Sequence, residues 1–221
     1  MVFEVVAFSL LVIASSVSVI WYFRARRKIL KFIKEFTNEL ERELRPTDKE
    51  YVLLGYLVGY RARYKLEDGR KAYILLTTAP RYAFFYYPIA RALKHEDRVT
   101  IMLELTGRVV LRELHAVKKE DTRTLNILLR DLGSQVEKLS RTTLKTSKGD
   151  YEVFYEEPRD LDLISKIIDS RHKPIIKLSA YKNLNAVEVI SKAELGSVNE
   201  LLGSLKILTR NISKSVPGTQ S

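Results

Sequence analysis

Residues Val5 to Phe23 read VVAFSLLVIASSVSVIWYF, and the chain continues directly as RARRK over residues 24–28. The first stretch carries no charge. At about 1.5 Å per residue, a helix of this length reaches roughly 28 Å, close to the thickness of the hydrocarbon core of a bilayer. Trp21 and Tyr22 close it with aromatic rings, which favour the membrane–water interface. The pattern predicts a transmembrane anchor over residues 1–23.

Charge is distributed unevenly around this apolar stretch. Glu4 precedes it, whereas a cluster of cations follows it. Because Lys and Arg favour the cytoplasmic side, we expect the N-terminus outside the cell (plasma) membrane and the remaining chain in the cytoplasm. A cleaved signal peptide is the alternative, but it needs positive charge before a shorter apolar run. The residues predicted at the membrane interface are Trp21, Tyr22, Arg24, Arg26, Arg27 and Lys28.

Several serines interrupt the apolar stretch. Small residues let a second helix approach closely, and their hydroxyl groups can bond across the interface. The alternative is that each serine bonds only to its own helix backbone. We expect a small membrane-protein partner or a nascent helix to pack here, against Ser9, Ser15, Ser16 and Ser18.

The composition of the 221 residues restricts both chemistry and partners. The formal net charge is +11 and there is no cysteine. A disulfide framework, a thiolate nucleophile and a cysteine-bound metal are therefore excluded. The positive charge indicates a polyanionic partner such as nucleic acid, a ribosome or an anionic membrane. A surface rich in Lys and Glu that merely keeps the protein soluble is the competing interpretation.

Beyond the anchor, apolar residues at spacings of three and four predict a juxtamembrane amphipathic helix over residues 24–45, which Pro46 ends. A domain over residues 46–213 and a flexible tail over 214–221 follow. Alternation in Tyr51 to Tyr64 predicts one long strand, because Val52, Leu54, Tyr56 and similar residues then share a face.

The rest of the domain alternates between strand and helix patterns. Asp121 is expected to cap a helix, and Ser197 with Glu200 to form a capping box for the last one. Strands joined by short turns pair antiparallel, and the helices then cover the sheet, so the fold class is α+β with antiparallel hairpins covered by helices. The predicted strands are 71–78, 99–105 with 108–117 as its partner, a hairpin turning at 148–150, and a hairpin over 176–181 and 186–191. The predicted helices are 84–93, 121–140, 161–168 and one following Ser197.

Catalytic motifs are missing from the sequence. His95, His115 and His172 are far apart and not at metal-ligand spacing, and there is no phosphate-binding glycine loop or nucleophile elbow. We therefore predict a protein that is not an enzyme, with no catalytic residue, no metal and no cofactor.

Basic residues next to aromatic ones suggest a nucleic-acid surface instead. RNA-binding proteins place cations on phosphates and rings under bases. Aromatic residues at helical spacing more often belong to the core, so we expect the cations to be the exposed members. The candidate ribosome- or RNA-binding residues are Arg81, Arg91, Lys94, Lys118, Lys119 and Arg123.

The order of these features resembles the cytoplasmic domain of the calumin family, the coiled-coil-domain membrane proteins of the eukaryotic PAT complex. The resemblance covers most of residues 5 to 213 and rests on the strand Gly55 to Gly59, the strand Asp97 to Leu105, the helix Thr124 to Leu139 and the flanking helices. The family's acidic lumenal region and its long basic coiled coil have no counterpart before Glu4 or after Lys214. The small anchored form suggests an archaeal relative.

The resemblance implies a setting for the protein. The family acts at the ribosome-bound Sec translocon beside the small membrane protein Asterix. The expected function is thus a membrane-anchored, ribosome- and translocon-associated factor that assists insertion of multipass membrane proteins, with membrane, ribosomal RNA and the Sec translocon as partners. The alternative is a membrane-tethered adaptor that binds anionic lipid or another membrane protein without ribosome contact.

Overall fold

A single helix, α1, runs from Val2 to Leu44 and dominates the N-terminal part of the computed structural model. The structure describes residues 2–93, 95–106, 109–172 and 174–215. In this part of the chain, α1 is the one helix long and apolar enough to cross a membrane, and its most apolar window is entirely unburied. The segment predicted as the juxtamembrane helix forms its second half, and Pro46 begins the next element.

Strands and helices alternate through the domain. The strands are β1 (Pro46–Gly55), β2 (Gly59–Leu66), β3 (Lys71–Thr77), β4 (Arg98–Glu104), β5 (Val109–Leu111), β6 (Leu114–Lys118), β7 (Ser140–Thr146), β8 (Gly149–Tyr155), β9 (Ile175–Tyr181), β10 (Ala186–Lys192) and β11 (Ser213–Ser215). The remaining helices are α2 (Tyr87–Ala92), α3 (Thr122–Leu132) with a 3-10 turn over Gly133–Lys138, α4 (Arg159–Asp169) and α5 (Val198–Ile212).

Nine strands form one sheet in the order β1-β2-β3-β4-β10-β9-β6-β8-β7. Each neighbouring pair is antiparallel. A separate small sheet pairs β11 with β5. The predicted α+β class with antiparallel hairpins and helices is therefore confirmed.

One face of the sheet, here called the covered face, is packed under α1, α4 and α5. Phe36 and Leu40 of α1 are fully buried in its core, together with Tyr64 of β2 and Leu205 of α5. Alternation in the strands produces this core, because every second side chain of β2, β3 and β4 points to the same side. The second half of α1 is thus part of the domain. The apolar first half belongs to the same continuous helix and is therefore attached to the domain through it.

The opposite face, here called the outer face, is covered where α3 crosses it. Leu128 and Leu132 of α3 pack there on Val117 and Phe154. Over β2 and β3 the same face carries exposed or half-exposed side chains, such as Arg61 and Tyr73. Both faces of the sheet are therefore covered where α3 packs, whereas at β2 and β3 the outer face is open.

The predicted single strand over Tyr51 to Tyr64 is wrong, because the chain folds back on itself between Gly55 and Gly59. Gly59 has φ +132°, and a Cβ there would lie 1.9 Å from the Leu76 carbonyl oxygen. Only glycine permits such close approach of two strands. The two glycines are therefore the corners of a hairpin and not residues within one continuous strand.

Three further predictions differ from the structure. The predicted pairing of segment 108–117 with β4 is wrong, since the partners of β4 are β3 and β10. Asp121 does cap α3, by accepting from the Thr124 amide at 3.0 Å, yet α3 ends at Leu132, before Gly133 (φ +51°), rather than at residue 140. The helix predicted over 84–93 is shortened to α2, because Pro88 favours the first turn of a helix.

The end of the chain also differs from expectation. The Ser197 hydroxyl donates to the Glu194 carbonyl at 2.6 Å instead of forming a capping box with Glu200. The N-terminus of α5 is instead capped by a residue of α1. The Glu39 carboxylate accepts from the amides of Gly196 (2.8 Å) and Val198 (3.1 Å). Of the predicted tail, residues 214 and 215 belong to β11, and residues 216–221 lie outside the described residues.

Candidate functional site

The end of the apolar stretch is attached to the domain through aromatic contacts. The Trp21 indole Nε1–H donates to the Arg81 carbonyl at 2.8 Å, and its ring meets Phe84 edge-on with centroids 5.5 Å apart. One residue on, the Tyr22 ring lies at right angles to Tyr82 at 6.5 Å. The segment Tyr82–Tyr86, here called the aromatic segment, thus lies against α1 at the level of Ser18 to Phe23.

Arg81 secures this attachment with its side chain. Its guanidinium bonds to Asp97 at 2.6 Å and lies 5.9 Å from the centroid of Phe32. Asp97 also accepts from the Ala79 amide at 2.7 Å, and burial raises the pKa of its carboxyl group despite these partners. The structure therefore places Arg81, a predicted RNA-binding residue, in the junction between α1 and the domain.

The other predicted cations divide into exposed and engaged groups. Arg91 is exposed on α2, and Lys94 lies outside the described residues. Lys118 is half-buried, 3.5 Å from Glu120, while Lys119 and Arg123 are exposed. Arg123 lines a shallow depression on α3 with Thr122, Asn126, Ile127 and Arg130. The five described residues are consequently divided between the junction, α2 and the region around α3.

The hairpin tip Leu53–Val58 is a second apolar projection on the side of the domain where the apolar stretch ends. Leu53 is 79% exposed and Tyr56 57% exposed. The Arg26 guanidinium lies 5.1 Å from the centroid of the Tyr56 ring. The Thr78 amide donates to the Val58 carbonyl at 2.8 Å, which connects the tip to the start of the aromatic segment.

Most of the residues predicted at the membrane interface lie on α1 next to its contacts with the aromatic segment and the hairpin tip. Arg24, Arg27 and Lys28 are exposed on α1, directly after Trp21 and Tyr22. A bilayer surface attracts such a cluster through its anionic headgroups. Their arrangement fits the predicted interface, with apolar groups on one side and cations on the other.

The predicted serine face is divided by helix geometry. Ser9 and Ser18 are about two and a half turns apart, so they lie on opposite sides of α1. The Ser16 hydroxyl donates to the Val12 carbonyl at 2.9 Å, and Ser18 faces the aromatic segment of the same chain. Ser9 and Ser15 are exposed. A partner helix could therefore not meet Ser9 and Ser18 on the same face.

The open part of the outer face carries a basic stripe that sequence reasoning missed. Its members alternate with the core residues of β2 and β3, so they all point away from the covered face: Arg61, Arg63, Lys65 and Lys71. Arg63 lies 3.6 Å from Glu50 and 5.8 Å from the centroid of Tyr73. The sequence signal that could have revealed the stripe is the Arg-x-Arg-x-Lys pattern of residues 61–65, whose cations alternate with Tyr60, Ala62 and Tyr64.

Beneath α3, the outer face contains buried charges. Lys177 and Glu188 lie 2.6 Å apart, and the Tyr181 hydroxyl bonds to both, at 2.6 and 2.9 Å. Next to them, His115 Nε2 bonds to Glu113 at 2.8 Å while His115 Nδ1 is buried without a partner. Burial lowers the pKa of His115 and raises the pKa of Tyr181.

This network is closed to solvent. His115 and Ser179, paired across β6 and β9, are both fully buried. The depressions described above lie at the aromatic segment and on the outside of α3, away from these residues. Among the described residues, no group of three or more His, Asp or Glu side chains could hold a metal ion. The arrangement is that of a structural network under a helix.

No protein-family model matches this chain, and no curated protein matches it. The resemblance to the calumin family therefore stays a prediction. The features of the molecule that bear on its function are the junction, the hairpin tip and the basic stripe.

Proposed function

We propose that this protein is a membrane-anchored factor that works at the cytoplasmic surface of the cell membrane, beside the ribosome and translocon, and assists insertion of multipass membrane proteins. The proposal rests on one observation. A helix long and apolar enough to span a membrane is attached to a sheet whose open face is basic. Retention of the helix as an anchor is supported by Trp21 and Glu39, which bond to the domain from both halves of α1.

The basic stripe is the surface that best suits ribosomal RNA. Arg61 and Lys65 are exposed on β2, and Tyr73 beside Arg63 offers a partly exposed ring. Cations contact phosphates, and an aromatic ring can stack on an unpaired base. The exposed Lys119, Arg123 and Arg130 add positive charge near α3.

Co-sedimentation of the full chain, reconstituted in nanodiscs, with ribosomes across a salt series tests this proposal. We expect binding to weaken steeply with salt, and R61E/K65E to weaken it further and to reduce the salt slope by about one for each phosphate that the variant no longer neutralises. The double variant K206E/R210E makes the same charge change at exposed positions of α5 and is the matched control. Equal binding of both variants would reject the stripe as the ribosome-binding surface.

A second function is favoured by the exposed cations Arg24, Arg27 and Lys28. These residues suit an adaptor that holds its domain against anionic lipid or another membrane protein without a ribosome. No ribosome binding at low salt, together with retention of the nanodisc-embedded protein by a membrane partner, would favour this second function.

A further inference from the structure

Two apolar projections of the domain lie beside the end of the apolar stretch of α1. One is the hairpin tip Leu53–Val58, and the other is the aromatic segment with the exposed face of α2. We propose that both enter the interface of the same bilayer that α1 spans, so that the domain lies on the membrane instead of standing above it on a helical stalk. This inference depends on the anchoring part of the proposed function.

The hairpin tip has the form of an insertion loop. Leu53, Leu54, Tyr56 and Val58 are exposed, whereas Leu57 between them is buried and has φ +67°. A left-handed conformation is strained for a bulky residue such as Leu. The strained residue turns inward, where the Thr78 hydroxyl donates to its carbonyl, and the neighbouring apolar side chains point outward. Exposed apolar groups held in this way suit lipid better than water.

The aromatic segment and α2 expose a comparable set of residues. Phe85 is 69% exposed, Ile89 56% and Leu93 61%, while Ala90 of α2 is fully buried and holds the helix against the domain. Aromatic rings favour the boundary between headgroups and hydrocarbon. The segment thus presents large apolar side chains outward.

Contacts with α1 set the depth of the two projections. The aromatic segment touches Trp21 and Tyr22, whereas the tip touches Arg26. Five residues of helix separate Trp21 from Arg26, which corresponds to about 7.5 Å along the helix axis. We therefore expect Phe85 to lie deeper in the bilayer than Leu53.

Charge and continuity identify the bilayer as the occupant of these surfaces. Arg24, Arg27 and Lys28 are exposed on α1 directly after Trp21 and Tyr22, at the level where anionic headgroups would meet them. The apolar surface of the aromatic segment continues the apolar surface of Val19 and Phe23 on α1. If α1 spans a bilayer, lipid lies against this surface before any protein can approach it.

The absence of cysteine makes a depth measurement direct. Single variants L53C, F85C and I89C of the full chain are labelled with a nitroxide in vesicles that contain anionic lipid. Relaxation of the label by oxygen, which enters lipid, is compared with relaxation by a water-soluble nickel complex. L184C is the matched control, because Leu184 is 58% exposed in the β9–β10 turn at the opposite end of the sheet. L11C, within the apolar stretch, reports on the anchor.

We expect oxygen to dominate at Phe85 and Ile89, both reagents to act at Leu53, and the nickel complex to dominate at Leu184. Nickel dominance at Leu53, Phe85 and Ile89 with oxygen dominance at Leu11 would overturn the docked orientation while leaving the anchor in place. Nickel dominance at Leu11 as well would overturn both the anchor and the docking.

Discussion

The two faces of the nine-stranded sheet differ in the side chains that they bury. The covered face is mostly apolar and lies under α1, α4 and α5, with Phe36, Leu40 and Leu205 among its fully buried residues. The outer face buries charges beneath α3, where Lys177 and Glu188 pair, and leaves its other end open. Apolar packing therefore attaches the anchor helix, whereas the outer face depends on the pairing of its buried charges.

The largest effect is expected from breaking the buried pair on the outer face. Lys177→Met leaves the Glu188 carboxylate buried without its cation, and the loss should be about 3–5 kcal/mol of the free energy of unfolding. Denaturant unfolding of the full chain in detergent measures it. The double variant K177M/E188L removes both charges and should recover most of the loss. If the double variant is as unstable as the single one, packing rather than charge is the cause.

The covered face should respond to loss of volume. Leu40→Ala opens a cavity where α1 packs on the sheet, and we expect a cost of about 2–5 kcal/mol. Leu184→Ala makes the same chemical change at an exposed position and should alter the free energy of unfolding by less than about 0.5 kcal/mol. Similar costs at both positions would contradict the assignment of α1 to the core.

His115 should give the outer face a pH dependence between pH 7 and pH 5. Burial lowers its pKa, and the groups around it are Glu113, Lys177, Glu188 and Tyr181. Below the ordinary His value of about 6.5, the unfolded chain takes up a proton that the folded protein resists. Stability should therefore fall as the pH drops below that value, by at most about 1.4 kcal/mol per pH unit for this group.

Unfolding of His115→Gln at several pH values between 7 and 5 measures this contribution. The variant should lose part of the slope even if its absolute stability is lower. His172→Gln, at an exposed position, is the control. An unchanged slope in His115→Gln would assign the pH dependence to other groups.

The smallest effect on stability is expected where Glu39 of α1 caps α5. Glu39→Ala removes the carboxylate that accepts from the Gly196 and Val198 amides, and losing a helix cap costs about 1 kcal/mol. Hydrogen exchange at the first turn of α5 should increase, while exchange in α3 on the outer face should not. Uniform change in both helices would indicate global destabilisation instead of a local cap.

The long apolar stretch, the amphipathic half of α1 and most strands and helices were predictable, because each depends on local periodicity. Hairpins such as β7–β8 and β9–β10 have short turns, which determine their pairing locally. The prediction of one strand over Tyr51 to Tyr64 failed because the alternation continues through the turn, and the reversal becomes visible only in the pairing of β1 with β2.

Sequence reasoning about the site was less successful, since exposure and pairing depend on tertiary contacts. Arg81 and Arg91 look alike in the sequence, yet Arg81 bonds to Asp97 and Arg91 is exposed. The basic stripe was missed because its cations alternate with aromatic residues, whose pattern indicates only the buried side of the strand. Strand order, such as β4 beside β10, follows from long-range packing and leaves no local signal.

By itself, the sequence determined the apolar helix, its basic flank, the α+β class and the absence of cysteine chemistry, because these depend on composition and local periodicity. Only the tertiary structure decided that α1 is joined to the core by Phe36, Leu40 and Glu39, and that the tip and the aromatic segment lie beside its apolar end. Contacts between distant residues arise from the packing of the whole chain, which no local pattern encodes.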